Sequence, residues 1–247
     1  MYTSFAETYD LLMQDVGYSE RTEYLLSVFE KYSKRPTLML DLACGTGNFS
    51  NELAKRNIQV IGVDISPEML NIAKEKSEKE GVDVLYLCQD ASELDLYGTV
   101  DGAVCCMDSI NHITDKDVLA KAFKKVSLFL EPDCLFVFDV NTPYKHKEIL
   151  GNNTFVIEED NVYCVWQNEY FEEESLTEIT LDFFEKQKNG DYTRSEQFIE
   201  ERAYTVKELT SLLENAGFSV EAVFSDMSFE ALKETSERAV FVAKKVF

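Results

Sequence analysis

Short apolar runs alternate with amphipathic stretches along most of the chain. Residues 19–33 place Tyr24, Leu25, Val28, Phe29 and Tyr32 at helical spacing, which predicts an amphipathic N-terminal helix. Residues 37–42, 58–63, 82–88, 100–107 and 134–140 then read as strands, with helices over 47–56, 66–79 and 115–130. Strands that are apolar on both faces and separated by helices predict a parallel sheet covered on both sides. The punctuation agrees. Ser66-Pro67-Glu68 supplies an N-cap, a proline at the first helical position and an acid in the first turn. Thr205 and Glu208 have the spacing of a capping box, and Gly217 closes that helix before two final strands at 218–224 and 239–246.

The rhythm changes between 154 and 204. Residues 154–158, 162–171, 176–186 and 192–204 alternate polar with apolar or aromatic side chains at period two, and Asn189-Gly190 predicts a hairpin turn between the last two. The expected organisation is one α/β domain made of 1–153 and 205–247, carrying an antiparallel β-meander at 154–204 as an acceptor lid or an interface.

Composition narrows the classes. Hydrophobic residues form 45% and charged residues 28% of 247, ordinary values for a chain with a real core. Twenty-four basic against 46 acidic residues give 24 − 46 = −22, which disfavours a nucleic-acid partner; the acidity serves solubility or attracts a cationic substrate. The six cysteines form no C-x-x-C pair and only two histidines accompany them, so no metal site is expected. Most of the cysteines sit in apolar runs and read as small buried hydrophobes of a reducing compartment. No apolar run approaches the roughly 18 residues of a membrane span. Residues 1–14 lack the basic and apolar regions of a signal peptide, so a cytoplasmic protein without membrane contact is expected.

The candidate chemistry begins at Asp41-Leu42-Ala43-Cys44-Gly45-Thr46-Gly47-Asn48-Phe49-Ser50, which follows the first strand and opens a helix. Small residues there let backbone approach a ligand at a helix N-terminus. The second strand ends at Asp64, 19 residues beyond Gly45, where a carboxylate can accept from both hydroxyls of a ribose. Gln89-Asp90-Ala91 sets a second acid after the third strand. A dinucleotide site wants a third glycine where Ser50 stands, and a pyrophosphate would be repelled by Asp41, whereas a methionyl ammonium would be attracted. A methyl donor is therefore favoured over an NAD-linked oxidoreductase.

These stretches, DLACGTGNFS (41–50), GVDISPEML (62–70), LYLCQDASEL (85–94), VDGAVCCMDSINHI (100–113) and ERAYTVKELTSLLENAGF (201–218), resemble the class I S-adenosylmethionine-dependent methyltransferases. FAETYDLLM (5–13) is similar to the branch that acts on small molecules. The resemblance implies a Rossmann-like, mostly parallel seven-stranded sheet with helices on both faces, and S-adenosyl-L-methionine as cofactor. It implies that Ala43, Gly45 and Gly47 contact the methionyl part and that Asp41 holds its amino group. It also implies Asp64 on the ribose, Ile65 and Met69 against the adenine, Asp90 and Ala91 at the adenine amino group, and Cys106 and Met107 on the methionyl side. Arg21 departs from the family pattern, where a tryptophan is frequent.

An amine or hydroxyl acceptor needs a general base. Asp108, Asn111 and His112 cluster after the fourth strand, and His112 is the leading candidate, with Tyr9 and Tyr18 as alternatives. His146 reads as structural or as rim. Asp108, with Trp166, Tyr170 and Arg202 of the meander, is expected to meet a small-molecule acceptor, Trp166 and Tyr170 sharing one aromatic face with Phe198, Arg202 and Tyr204. The expected assembly is a monomer or homodimer. A catalytically silent S-adenosylmethionine-binding module is the remaining alternative.

Overall fold

A computed structural model describes residues 9, 10, 12–159 and 161–246. The remainder of the 5–13 stretch (residues 5–8 and 11) therefore lies outside the described residues. The main sheet runs in the order β10-β11-β5-β4-β1-β2-β3. Its strands are β1 (Leu38–Leu42), β2 (Gln59–Asp64), β3 (Leu85–Cys88), β4 (Gly102–Cys105), β5 (Leu135–Asn141), β10 (Phe218–Ser225) and β11 (Arg238–Lys245). Strands β1 to β5 pair in parallel, and β11 lies antiparallel between β5 and β10.

Alternation along β1 explains the two cores. Met39 packs with Val28 and Phe29 of α1 (Tyr18–Lys31) and Leu53 of α2 (Asn48–Lys55) on one side. Leu40 and Leu42 pack with Phe123 of α4 (Lys116–Phe129) and Leu209 of α5 (Val206–Asn215) on the other. Helix α3 (Pro67–Glu80) begins as its signals predict, with Ser66 Oγ accepting from Met69 N, and α5 carries the full Thr205/Glu208 capping box. Arg21, in α1, forms a forked pair with Asp226 at 3.0 Å. Among the described residues no helix is long and apolar enough to cross a membrane.

Two expectations are corrected. Strand β4 ends at Cys105, because Met107 and Asp108 take left-handed φ values of 57° and 53° that no strand accommodates. The hairpin predicted at Asn189-Gly190 forms between β8 (Leu176–Lys186) and β9 (Tyr192–Arg202). The register Lys186↔Tyr192 leaves five residues in the loop, Gly190 N donates to Gln187 O at 2.9 Å, and only Gly190 (φ 90°) is left-handed.

The second correction concerns the aromatic face. The second sheet, β6 (Thr154–Glu159), β7 (Val162–Phe171), β8 (Leu176–Lys186) and β9 (Tyr192–Arg202), is antiparallel throughout. Trp166 lies opposite Leu181 and Gln197, whereas Phe198 lies opposite Thr180 and Gln167, so the two rings point to opposite faces. Trp166 and Tyr170 share the inner face with buried Cys164, Ile179, Leu181 and Phe183. Phe198 and Arg202 share the outer one, and Tyr204 lies past the strand, buried, its hydroxyl donating to Ile113 O.

Candidate functional site

The strand order reverses between β1 and β4, and ligands of open α/β sheets bind at such a switch point, beyond the carboxyl ends of the strands. A cavity of about 530 Å³ lies there. The loop after β1 forms its floor. Gly45 is left-handed (φ 54°) with open space on its Cβ side. At Gly47 (φ 76°) a Cβ would stand 2.4 Å from Tyr86 Oη and 2.8 Å from Ala73 Cβ, so only glycine fits.

Asp64, at the tip of β2, accepts from Gly45 N at 2.8 Å through one oxygen and from Ser66 N at 2.9 Å through the other. Each oxygen keeps acceptor capacity beyond these bonds, and Asp64 lines the cavity, as a ribose diol would require. Ile65 is 65% exposed, an apolar side chain left open at the cavity wall beside Met69. Asp90 accepts from Ser92 N at 2.7 Å, and Ala91 lines the same wall. The structure thus brings Ala43, Gly45, Asp64, Ile65, Met69, Asp90, Ala91 and Met107 to one cavity.

A smaller recess joins Asp41, Tyr9, Tyr18 and Cys106 beneath the glycine loop. Asp41 is buried and its carboxylate accepts from Ser50 Oγ at 2.6 Å. Burial pushes its carboxyl up to about 7; the Ser50 bond opposes that and the Asp64 charge adds to it. Burial, and then each other's proximity among lesser causes, holds the Tyr9 phenol well above its ordinary value, and burial raises Tyr18 as well. Both are therefore donors at neutral pH, and neither supplies a phenolate base.

The turn after β4 carries the remaining candidates. Asn111 is fully buried and serves as a pin: its amide donates to Arg202 O at 2.8 Å and Asn141 O at 3.2 Å and accepts from Asn141 N at 2.9 Å. Asp108 is paired with Arg238 at 2.7 Å. Burial would raise its carboxyl, but the charges of Arg238, His112 and Lys145 prevail and hold it at about 2. Both are removed from the base candidates.

His112 remains. Its side chain is 43% exposed, lines the cavity, and sets Nε2 3.8 Å from a carboxylate oxygen of Glu201. Glu201, from β9, is buried, receives Asn141 Nδ2 at 3.2 Å, and lies 3.7 Å from His146 Nε2. Its carboxyl is raised, by burial first and the Asp108 charge second. His146 is not at a rim: it is buried, its Nδ1 meets Thr177 Oγ1 at 2.8 Å, and burial lowers it to about 4, so it is neutral. Ligand atoms of Asp108, His112 and Glu201 all lie within 4.8 Å of one another, but oxygens of the two acids are taken by Arg238 and Asn141.

The meander residues are arranged differently from expectation. Trp166 does not line the cavity; its indole N–H donates to Asn168 Oδ1 at 2.7 Å and its ring packs on Phe155. Tyr170 lies outside the cavity as well. Arg202 reaches the Thr114 carbonyl at 3.3 Å and lies over the Tyr204 ring. Ile199 is the meander residue in the cavity wall, and Glu201 stands behind His112. Sequence reasoning missed Ile199, Glu201, Asp139 and Arg238. The available signals were Asp139 within the apolar run 135–140 and Arg238 heading the apolar run 239–243; nothing local fixed which way Ile199 and Glu201 face.

The family profile described as "Methyltransferase domain" matches residues 39–133. The Bacillus subtilis chain YqeM, provisionally named a methyltransferase, is 32% identical over 99% of this chain and 97% of its own length. A crystal structure of an S-adenosylmethionine-dependent methyltransferase from Clostridium acetobutylicum superposes with a TM-score of 0.90 at 32% identity, covering 98% of both chains. CalS10 of Micromonospora echinaspora, an amino pentose methyltransferase solved with S-adenosylmethionine bound, shares the fold at TM-score 0.78 and 18% identity, covering 100% of this chain and 98% of its own. With relatives of that class matched over nearly their whole length, the chain belongs to the class I S-adenosylmethionine-dependent methyltransferases.

Proposed function

We propose that the chain methylates a small-molecule N or O acceptor in the cavity, with His112 as general base. The observation that carries this is the cavity-facing imidazole backed by a buried carboxylate, beside the Met107 wall. Bound S-adenosylmethionine supplies a methyl group already activated on a sulfonium, so the protein's work is alignment, exclusion of water and custody of a proton. Asp64 would take the ribose hydroxyls, Ile65 and Met69 the adenine face, Asp90 its amino group with Ala91 beside it, and Asp41 the ammonium. Ala43, Gly45 and Gly47 would underlie the methionyl chain, with Cys106 and Met107 on its other side.

An amine or hydroxyl acceptor gives up a proton, which His112 takes, and the Glu201 carboxylate stabilises the resulting imidazolium. Ile199 and Tyr9 also line the cavity. The amino-sugar substrate in the name of CalS10 puts amines first. A screen of small amines, amino sugars and phenols for S-adenosylhomocysteine release is the test. Release with at least one of these classes is expected. Tight S-adenosylhomocysteine binding without turnover on any of them would instead indicate a silent binding module.

A further inference from the structure

We propose that Arg238 is a positioning residue for methyl transfer, clamping Asp139 and Asp108 so that the Met107–Asp108 turn holds the shape that forms the cofactor wall and aims His112. The inference rests on the placement of the cofactor against Met107 proposed above.

Two consecutive non-glycine residues in the left-handed region are unfavourable and persist only where their surroundings fix them. Here the fixing group is the Asp139 carboxylate near the end of β5. One oxygen accepts from Met107 N at 2.9 Å and the other from Asp108 N at 3.1 Å. The buried Asp139 and the half-buried Asp108 carboxylates both lie within reach of Arg238, so without it two like charges would face each other in a poorly solvated place. The antiparallel pairing of β11 with β5 sets Arg238 opposite Asn141, two residues from Asp139. Its guanidinium then spans both acids, Nη1 to Asp139 Oδ2 and Nη2 to Asp108 Oδ1. The rigid planar fork holds the two carboxylates at a fixed separation and orientation, which the rotatable ammonium of a lysine does not impose.

Arg238 itself lines neither the cavity nor the recess, so it touches no reacting group and acts through the turn. Met107 and Ser109 line both spaces, and Ser109 Oγ donates back to Cys106 O at 2.8 Å. Asn111 pins the far end of the turn to β5 and β9, leaving His112 at the cavity wall. The turn is thus held at its start by Asp139 under Arg238 and at its end by Asn111. Loosening the first hold shifts the wall and the base together.

The test uses the full chain, S-adenosylhomocysteine as ligand, calorimetry, and residue-resolved amide exchange. In the wild-type chain the amides of Met107 and Asp108 should exchange at least a hundredfold more slowly than in a free peptide; unprotected amides overturn the proposal without any variant. Arg238→Lys keeps the charge and loses the fork. It should speed exchange of these two amides at least tenfold and weaken S-adenosylhomocysteine at least tenfold, while Leu40 and Leu42 of β1 exchange as before. Asp139→Asn, which offers one acceptor oxygen where two are used, should reproduce both effects if the lysine variant does not fold. Faster exchange with unchanged affinity, or unchanged exchange in a folded variant, overturns the proposal. Asp64→Ala checks the cofactor placement separately, since it should weaken the ligand without altering exchange at 107 and 108.

Discussion

Replacing Asp41 by Asn probes a buried carboxylate whose ionisation lies near neutral pH. Its folded value of about 7, against 3.8 in the open chain, means that the ligand-free site holds a proton there through the weakly acidic range. A methionyl ammonium docked beside it favours the ionised form, so binding must expel that proton. The ionised fraction is about one tenth at pH 6 and about three quarters at pH 7.5, and the ligand's own amine stays protonated below about 8. S-adenosylhomocysteine affinity should therefore rise about eightfold from pH 6 to pH 7.5. Calorimetry in two buffers of different ionisation heat should show net proton release near pH 7. Asp41→Asn, an amide in place of the acid, should bind with the weak affinity of the low-pH wild type and without that pH dependence. The same shift has a stability counterpart. A raised folded value contributes stability that is present below about 4 and lost as pH rises through 7, by about 4 kcal/mol at most. Ligand-free Asp41→Asn should accordingly lose less stability than the wild type over that interval. An Asn variant that keeps the eightfold pH dependence, or a wild type that releases no proton, would refute the placement of the ammonium at Asp41.

Three further outcomes are expected. His112→Ala should lower kcat about 100-fold with little change in acceptor KM, and full turnover by that variant would remove the base assignment. Ile199→Ala should raise acceptor KM about tenfold, the scale of a lost apolar contact of about 1.4 kcal/mol, and leave S-adenosylhomocysteine affinity unchanged in calorimetry. A salt-sensitive mobility shift with RNA or DNA should be absent, given the net charge of −22; its presence would reveal a basic patch that the total conceals.

What was legible in the chain, and what was not, divides along physical lines. The helix over residues 18–31, the Ser66 cap and the Thr205 capping box were readable because their causes lie within a few residues. The nearness of Gly45 and Asp64 was readable for a related reason. In a strand–helix–strand unit, parallel pairing of β1 with β2 makes residues 19 positions apart neighbours at one sheet edge. The exposed face of Phe198 was not readable, because side chains alternate in any strand and only the register states which set points inward. The shortening of β4 was hidden as well. An apolar run reads as a strand to its end unless something outside it captures the backbone, and the captor here is Asp139, 32 positions away.

The same reasoning explains why the charged groups behind the site were missed as a group. Arg238 is 99 positions from Asp139 and 130 from Asp108, and nothing local brings them together. They meet because β11 enters the sheet antiparallel between β10 and β5, an order that neither periodicity nor capping encodes. Glu201 arrives by a second long route. The end of β9 returns to the β4 turn, where Arg202 N donates to Asn111 O at 2.8 Å, and this docks the inserted sheet one residue from the carboxylate that faces His112. The glycine loop and Asp64 are thus brought together by neighbours in sequence, whereas the Met107 turn, His112 and Ile199 are set in the cavity wall by strand order and by the insertion. Relatives that keep β1 and β2 but differ in the insertion should share a cofactor and diverge in acceptor, because the residues proposed to meet that acceptor come from the elements with no local code.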